Sequence, residues 1–249
     1  MLDVLTVIKT IEKFAPLTLQ EDYDNSGLQV GSVKSKVTGI YIALDIDLSV
    51  VEDAIKNGCN LIVVHHPLLF NAVKVIDVDT YQGKVFKKLL ENDIAVYASH
   101  TAFDNAEYSI AYTNLKKLGC TNIHRVNEVY IADIQKNTVE LVRNLSIITG
   151  DENILSTNMH KQVNRIGYIN GSGGRMDDIL PTLIEQNVDL YISSEFKYSF
   201  LQDLVNNDID VVEINHFNSE RVFIEIMNNI LAEYKVVKSA INQNPFNKE

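Results

Sequence analysis

A short pattern recurs along this chain: a helical stretch, a polar turn and a compact apolar strand. The apolar strands of the four repeats are residues 61–64, 94–98, 188–192 and 209–214. Short apolar strands that alternate with helices are typical of parallel strands covered on both faces by helices. The pattern therefore predicts an α/β fold with mostly parallel sheets.

Hydrophobic periodicity and turn signals predict the remaining elements. Helices are predicted at residues 2–14, 49–57, 81–91, 105–118, 134–148, 176–186 and 218–234, and further strands at residues 39–44, 129–132 and 165–169.

The residues that follow the four apolar strands carry reactive side chains. His65 and His66 follow the first strand, His100 the second, Glu195 the third and His216 the fourth. In open α/β sheets, ligands bind beyond the carboxyl ends of the strands. Three repeats therefore place a histidine where a binding site is expected, and one places a carboxylate there.

The adjacent pair His65 and His66 allows several interpretations. Neighbouring side chains on a strand point to opposite faces, and Pro67 keeps His66 out of the helical region. The two imidazoles can diverge towards two metal ions, or one can bind metal while the other packs. Both can also cap the strand through hydrogen bonds.

Carboxylates lie close in sequence to the other two histidines. Asp104 follows His100 by four residues and can either converge with it or cap the helix predicted to follow. Glu220 falls in the first turn of another predicted helix, where it can bind metal with His216 or only complement the helix dipole. Glu195 can assist a metal or simply begin a helix.

Three imidazoles and two carboxylates form a nitrogen and oxygen donor set when His100 is set aside: His65, His66, His216, Asp104 and Glu220. Such donors favour Zn, Fe, Mn, Ni or Co. A catalytic zinc usually has three protein ligands, whereas five suffice for two divalent transition metal ions about 3.5–4 Å apart. His100 is then the expected catalytic residue, which orients groups or transfers protons beside the metals.

Composition and charge restrict the partners and the compartment. The 249 residues include 22 basic and 33 acidic side chains, a formal net charge of −11, which repels phosphate backbones and argues against nucleic acid. Cys59 and Cys120 form no CxxC pair, so the chain has no zinc-ribbon signature. Only two thiols in a chain of this length indicate a reducing compartment. Asp3 lies where a signal peptide is basic, and no apolar run approaches the ~20 residues of a membrane span. We expect a cytoplasmic protein without a membrane partner.

Seven motifs lie in order along most of the chain. They are residues 24–31 (DNSGLQVG), 43–45 (ALD), 65–68 (HHPL), 99–104 (SHTAFD), 171–174 (GSGG), 195–198 (EFKY) and 216–220 (HFNSE). Together they resemble the Nif-three-like dinuclear metal-centre proteins, also known as GTP cyclohydrolase type 2 homologues. The chain length resembles the short form of that family, which lacks an inserted central domain.

The resemblance implies metal ligation by five residues: His65, His66, Asp104, His216 and Glu220. It also implies two α/β lobes that face each other across a dinuclear metal site, here assigned to residues 1–124 and to residues 125–249 as a second lobe or return segment. A ring-shaped homohexamer is implied as well, so a partner is the chain itself. One departure is Ser199, where family members often carry a histidine.

The resemblance favours a dinuclear metal-dependent hydrolase that acts with metal-activated water on a purine nucleotide or another small-molecule substrate. Lys197, Arg221 or Arg175 can meet anionic groups of the substrate, and residues 171–174 form either an anion-binding loop or a plain turn. The alternatives are a metal-storage or metal-delivery protein and a regulatory interaction module. Turnover of GTP by the metal-loaded protein, lost in a ligand variant, separates the first function from the others.

Overall fold

The computed structural model describes residues 2–234 and 237–239 of the chain. These residues form two compact units, one made of residues 2–106, 223–234 and 237–239 and the other of residues 107–222. The sequence divides the chain once, after residue 124. The division lies earlier in the structure because Leu115 and Leu118 pack into the core of the second unit.

The secondary-structure elements are numbered here in chain order. The helices are α1 Val4–Phe14, α2 Leu48–Lys56, α3 Tyr81–Glu91, α4 Thr101–Asp104, α5 Ile110–Leu118, α6 Thr138–Thr149, α7 Leu180–Glu185, α8 Tyr198–Asn206, α9 His216–Glu220 and α10 Val222–Ile230. The strands are β1 Gly27–Val30, β2 Ile40–Ala43, β3 Leu61–Val64, β4 Ala95–Ala98, β5 Thr121–Val126, β6 Val129–Asn137, β7 Leu155–Ser156, β8 Gln162–Tyr168, β9 Leu190–Ser193, β10 Asp210–Glu213 and β11 Val237–Ser239. Within the described ranges, no helix combines the length and the apolar character needed to cross a membrane.

The first unit contains a five-stranded sheet in the order β1-β4-β3-β2-β11. Strands β4, β3, β2 and β11 are parallel, and β1 is antiparallel to β4. Helices α2 and α3 bury side chains such as Val51 and Leu89 against Ile62 and Val96 of the sheet. This is the mostly parallel, helix-covered sheet that the apolar strands predict.

The second unit contains a six-stranded mixed sheet in the order β5-β6-β8-β9-β10-β7. Strands β8, β9 and β10 are parallel, but the pairs β5–β6, β6–β8 and β10–β7 are antiparallel. The pairing of Val126 with Val129 closes a two-residue hairpin at Asn127, whose φ is +53°. The α/β class is confirmed, but this sheet is not mostly parallel, because the hairpin and the edge strand β7 reverse the chain.

The four repeats share one turn geometry between the helix and the strand. Gly58, Asp93, Asn187 and Asp208 lie in these turns, with φ values of +70°, +51°, +52° and +60°. A residue with left-handed backbone angles just after a helix ends that helix and lets its last carbonyl groups accept hydrogen bonds. The repeated polar turn in the sequence is therefore a repeated helix end, which returns the chain to the sheet.

Several predicted helix bounds are wrong, and local capping explains why. The helix predicted from residue 105 begins at Ile110, since the Ser109 side chain accepts a hydrogen bond from the Tyr112 amide. The helix predicted from residue 134 begins at Thr138, because β6 continues to Asn137, which caps α6. The helix predicted at residues 218–234 is divided into α9 and α10, whereas α3 has the predicted bounds.

Candidate functional site

The parallel register of the first unit brings three histidines to one edge of its sheet. Val64 of β3 pairs with Ala98 of β4, so both strands end at the same level. His65 and His66 follow β3, and His100 follows β4 by two residues. One ligand nitrogen from each of these three imidazoles lies within 4.8 Å of the others, a group that could hold a metal ion.

His65 is the most buried of these histidines, with none of its surface exposed. Its Nδ1 lies 2.9 Å from the Ser99 carbonyl oxygen. A carbonyl can only accept, so Nδ1 donates and Nε2 keeps its lone pair in the neutral ring. That Nε2 lies 3.7 Å from Oδ2 of Asp104, which places two electron-pair donors face to face.

Carboxylates hold the other two histidines of the first unit. Nδ1 of His66 lies 2.7 Å from Oδ1 of Asp45, and Nδ1 of His100 lies 2.7 Å from Oδ1 of Asp24. Each Nδ1 therefore donates to its carboxylate, and in the neutral ring Nε2 is the remaining electron-pair donor. These contacts fix the ring orientations from the side opposite to Nε2.

Asp24 is itself held by a dense set of donors. Burial by itself raises the pKa of this carboxyl, but hydrogen bonds from His100, Thr101 and Ser26 outweigh it and hold the pKa well below its usual value. Oδ2 of Asp24 accepts from the Thr101 hydroxyl at 2.6 Å and the Ser26 hydroxyl at 2.8 Å. The carboxylate stays charged at neutral pH and keeps Nδ1 of His100 protonated.

Asp104 does not begin a helix, contrary to the capping interpretation. It is the last residue of α4, which runs from Thr101 to Asp104, and α5 starts only at Ile110. Its carboxylate is turned to His65 instead. The structure therefore brings Asp104 together with His65.

The second unit builds a matching group at the edge where β9 and β10 end. Ser193 pairs with Glu213 at the ends of these parallel strands. Glu195 follows β9, with a left-handed φ of +59°, and its Oε1 lies 2.7 Å from Nδ1 of His216. Its Oε2 lies 2.8 Å from Nη2 of Arg175. Glu195 therefore does not begin a helix, since α8 starts at Tyr198. Its carboxylate instead orients the ring of His216.

Glu220 faces the other nitrogen of the same imidazole. Its Oε2 lies 3.1 Å from Nε2 of His216, one turn along the short helix α9. The residue is 3% exposed, and its Oε1 accepts a hydrogen bond of 3.2 Å from the Asn170 amide. A buried carboxylate beside an imidazole nitrogen is a pair that could hold a metal ion.

The glycine-rich loop shapes this group rather than forming an open anion cradle. Gly171 has a φ of +62°, and a Cβ there would overlap Oε1 of Glu220 and lie 3.3 Å from Nε2 of His216. Its amide donates to the Ser219 hydroxyl, and the Gly174 amide donates to the Ser194 carbonyl. The loop lies against Glu220, and two of its amides are already used within the protein.

The four histidines share one hydrogen-bonding pattern. In each, Nδ1 faces a carbonyl or carboxylate oxygen and Nε2 is the remaining ring donor. Metal-binding histidines are commonly held in this way, because the outer acceptor fixes the tautomer and raises ligand basicity. The residues present therefore fit a divalent transition metal.

Sequence reasoning missed the roles of the outer acceptors. Asp24 and Asp45 lie in motifs that were noticed, but 76 and 21 residues separate them from their histidines. The other two histidines, His124 and His160, are exposed. Ser199 is exposed on α8.

Comparison with known proteins agrees with the motif resemblance. The family model of Duf34/NIF3 (NGG1p interacting factor 3) matches residues 2–245. A GTP cyclohydrolase 1 type 2 homolog of Clostridium acetobutylicum is 31% identical over 97% of this chain and 93% of its own. The Helicobacter pylori J99 protein named GTP cyclohydrolase 1 type 2 is 28% identical over 97% of each chain. The solved structure of Staphylococcus aureus protein SA1388 has a TM-score of 0.89 at 19% identity, covering 100% of this chain and 99% of that chain. This chain belongs to the Duf34/NIF3 family.

Proposed function

We propose that the protein is a metal-dependent hydrolase that binds two divalent transition metal ions. The proposed ligands are His65, His66, Asp104, His216 and Glu220. The observation that carries the proposal is the common orientation of the imidazoles, in which an oxygen acceptor holds Nδ1 and Nε2 is the other ring nitrogen that could bind a metal.

The facing donors support a cation in each unit. Nε2 of His65 lies 3.7 Å from an Asp104 oxygen, and Nε2 of His216 lies 3.1 Å from a Glu220 oxygen. Two electron-pair donors need a proton or a metal ion between them. A metal ion meets the need of both groups and uses the nitrogen and oxygen donors that Zn, Fe, Mn, Ni or Co prefer.

His100 is the proposed proton-transfer residue. Bound divalent metals supply water of lowered pKa and polarise the reacting oxygen of a substrate. The Asp24 carboxylate keeps the proton on Nδ1 of His100, so Nε2 is the atom that accepts a proton and later returns it. Its ligand nitrogen lies within 4.8 Å of those of His65 and His66, within reach of a water held there.

Purine nucleotides are the substrate class to test first. Two relatives carry the name GTP cyclohydrolase 1 type 2 or a homolog of it, and the resemblance in motifs supports the same class. Arg175, 63% exposed at its side chain, and Lys197, 48% exposed, supply positive charge in the second unit. We propose these two cations as contacts for anionic parts of the substrate.

A combined metal and turnover experiment tests the function. Elemental analysis of untagged protein is expected to approach two equivalents of transition metal per chain, and a nucleotide panel is expected to show hydrolysis that chelation abolishes. His65→Ala and His216→Ala should each lose metal and activity, whereas His124→Ala, a change at an exposed histidine, should keep both.

Two results would redirect the proposal. Two bound metals without turnover of any substrate in the panel would favour the storage or delivery function. If His65→Ala and His216→Ala both keep the metal content of the wild type, the proposed ligands are refuted.

We also propose that the chain acts in the cytoplasm as a ring-shaped homohexamer. The family resemblance supports the ring, and the two cysteines, both unoxidised and buried, fit a reducing compartment. Light scattering should give the mass of six chains, and cell fractionation should recover the protein with cytoplasmic markers. A monomeric mass would contradict the ring.

A further inference from the structure

The first unit contains a cavity of about 520 Å³ beside the loop that follows β3. Ligand pockets in proteins are typically about 300–1,000 Å³ and mostly apolar. The apolar side chains in its wall include Val30, Leu69, Phe70, Val73, Ile76 and Phe86. The size and the lining are those of a small-molecule site.

The described lining of the cavity is uncharged, and the cavity opens to solvent. Among the described residues that line it, eight are apolar and three carry side-chain amides. Phe70 is 45% exposed, Ile76 is 54% exposed and Leu90 is 60% exposed. Neighbouring apolar groups that stay open to water commonly mark a binding surface, and this one is concave.

Side-chain amide contacts hold one wall of the cavity in place. The Asn25 side chain donates to the Leu69 carbonyl at 2.7 Å, and the Leu69 amide donates to Oε1 of Gln29 at 3.1 Å. Nε2 of Gln29 in turn donates to the Asn25 carbonyl at 2.6 Å. These bonds fix the loop after Pro67 to β1, so the wall is formed before any ligand binds.

The same segment also holds His100, which connects the cavity to the proposed chemistry. Asp24 binds Nδ1 of His100, and the next residue, Asn25, fixes the cavity wall. The ring of Phe70 lies edge-on to His100, with 6.1 Å between centroids. The motif at residues 24–31, which contains none of the proposed metal ligands, thus positions both the proton-transfer residue and the cavity.

We infer that this cavity binds an uncharged aromatic or aliphatic group of the substrate and holds the adjoining reactive bond next to His100. The inference rests on the proposed hydrolase function. Charged parts of the substrate lie outside the cavity, because the described residues that line it include no ionised side chain. The site therefore selects substrates by an apolar group of about the size of a fused ring.

Direct binding of 1-naphthol to the full-length protein tests the cavity without any need for turnover. Val73→Asp places a carboxylate in the lining, whereas Val75→Asp changes a residue of the same loop that is 77% exposed and outside the lining. Saturable binding to the wild type is expected. Val73→Asp should weaken it at least about tenfold, because a bound apolar ring would displace water from the carboxylate without replacing its hydrogen bonds. Val75→Asp should leave the binding within about twofold.

Hydrolysis of 1-naphthyl acetate by the metal-loaded protein adds a second readout. Water adds to the acyl carbon and the acyl–oxygen bond breaks, which releases 1-naphthol, acetate and a proton. Val73→Asp should raise KM about tenfold and leave the metal content unchanged, and Val75→Asp should leave KM at the wild-type value.

The outcomes separate this inference from the proposed function. Selective loss of naphthol binding in Val73→Asp, with no hydrolysis of 1-naphthyl acetate or of the nucleotide panel by any form, supports the cavity and refutes the hydrolase. Metal-dependent hydrolysis with the same KM in the wild type, Val73→Asp and Val75→Asp would refute the inferred role of the cavity and leave the hydrolase proposal standing. Absence of naphthol binding, together with a smaller assembly in Val73→Asp, would show that a second copy covers the patch and would overturn the inference.

Discussion

Replacing Gly171 with alanine tests whether the glycine-rich loop shapes the site around Glu220. The left-handed backbone at φ +62° costs a residue with a Cβ about 1–2 kcal/mol. The new methyl would also overlap Oε1 of Glu220, and overpacking of this kind costs about 1–3 kcal/mol. We therefore expect Gly171→Ala to lower the free energy of unfolding by about 2–5 kcal/mol.

Gly119→Ala is the matched control within the same unit. Its φ is +87°, and a Cβ there meets no heavy atom within 4 Å, so only the backbone cost of about 1–2 kcal/mol applies. Urea unfolding followed by far-ultraviolet circular dichroism measures both variants, and elemental analysis measures their metal. Gly171→Ala should also lose metal, because the displaced carboxylate is a proposed ligand, whereas Gly119→Ala should keep it.

Equal losses of stability in the two variants would refute the packing argument. A larger loss in Gly171→Ala with full metal occupancy would keep the packing argument and remove Glu220 from the proposed ligands.

Three further predictions concern the acceptors and the proton-transfer residue. Glu195→Ala removes the oxygen that accepts from Nδ1 of His216 and should weaken metal binding about 10–100-fold. The control Glu185→Ala, at an exposed position, should leave metal binding unchanged. Equal metal affinities of the two variants would refute the orienting role of Glu195. Because the pKa of Asp24 is lowered by folding, its contribution is complete above about pH 5 and is lost as the pH falls. The stability difference between the wild type and Asp24→Asn should therefore shrink on acidification, and a difference independent of pH would contradict this. His100→Ala should keep most of the metal and lose most of the hydrolysis; a collapse of metal content would make His100 a ligand.

The sequence predicts the candidate site well where local order along the chain determines position. The repeats place His65, His66 and His100 directly beyond apolar strands, and the parallel register of β3 and β4 brings them to one edge. The same logic applies to Glu195 and His216 beyond β9 and β10. Strand ends in a parallel sheet are a local property, so periodicity and turn residues suffice to find them.

Tertiary contacts account for what the sequence does not reveal. Asp24 reaches His100 across 76 residues and Asp45 reaches His66 across 21, so no spacing rule connects them. The mixed second sheet depends on a hairpin at Asn127, a two-residue turn without glycine. The role of Asp104 depends on a four-residue helix, too short for a periodic signal.

Anomalous diffraction from crystals of the metal-loaded protein tests the central claim most directly. We predict two metal peaks per chain, each within about 2.0–2.2 Å of Nε2 of at least one of His65, His66 and His216, with every Nδ1 still bonded to its oxygen acceptor. Metal bonded through Nδ1, or fully loaded crystals with no peak at these histidines, would contradict the account.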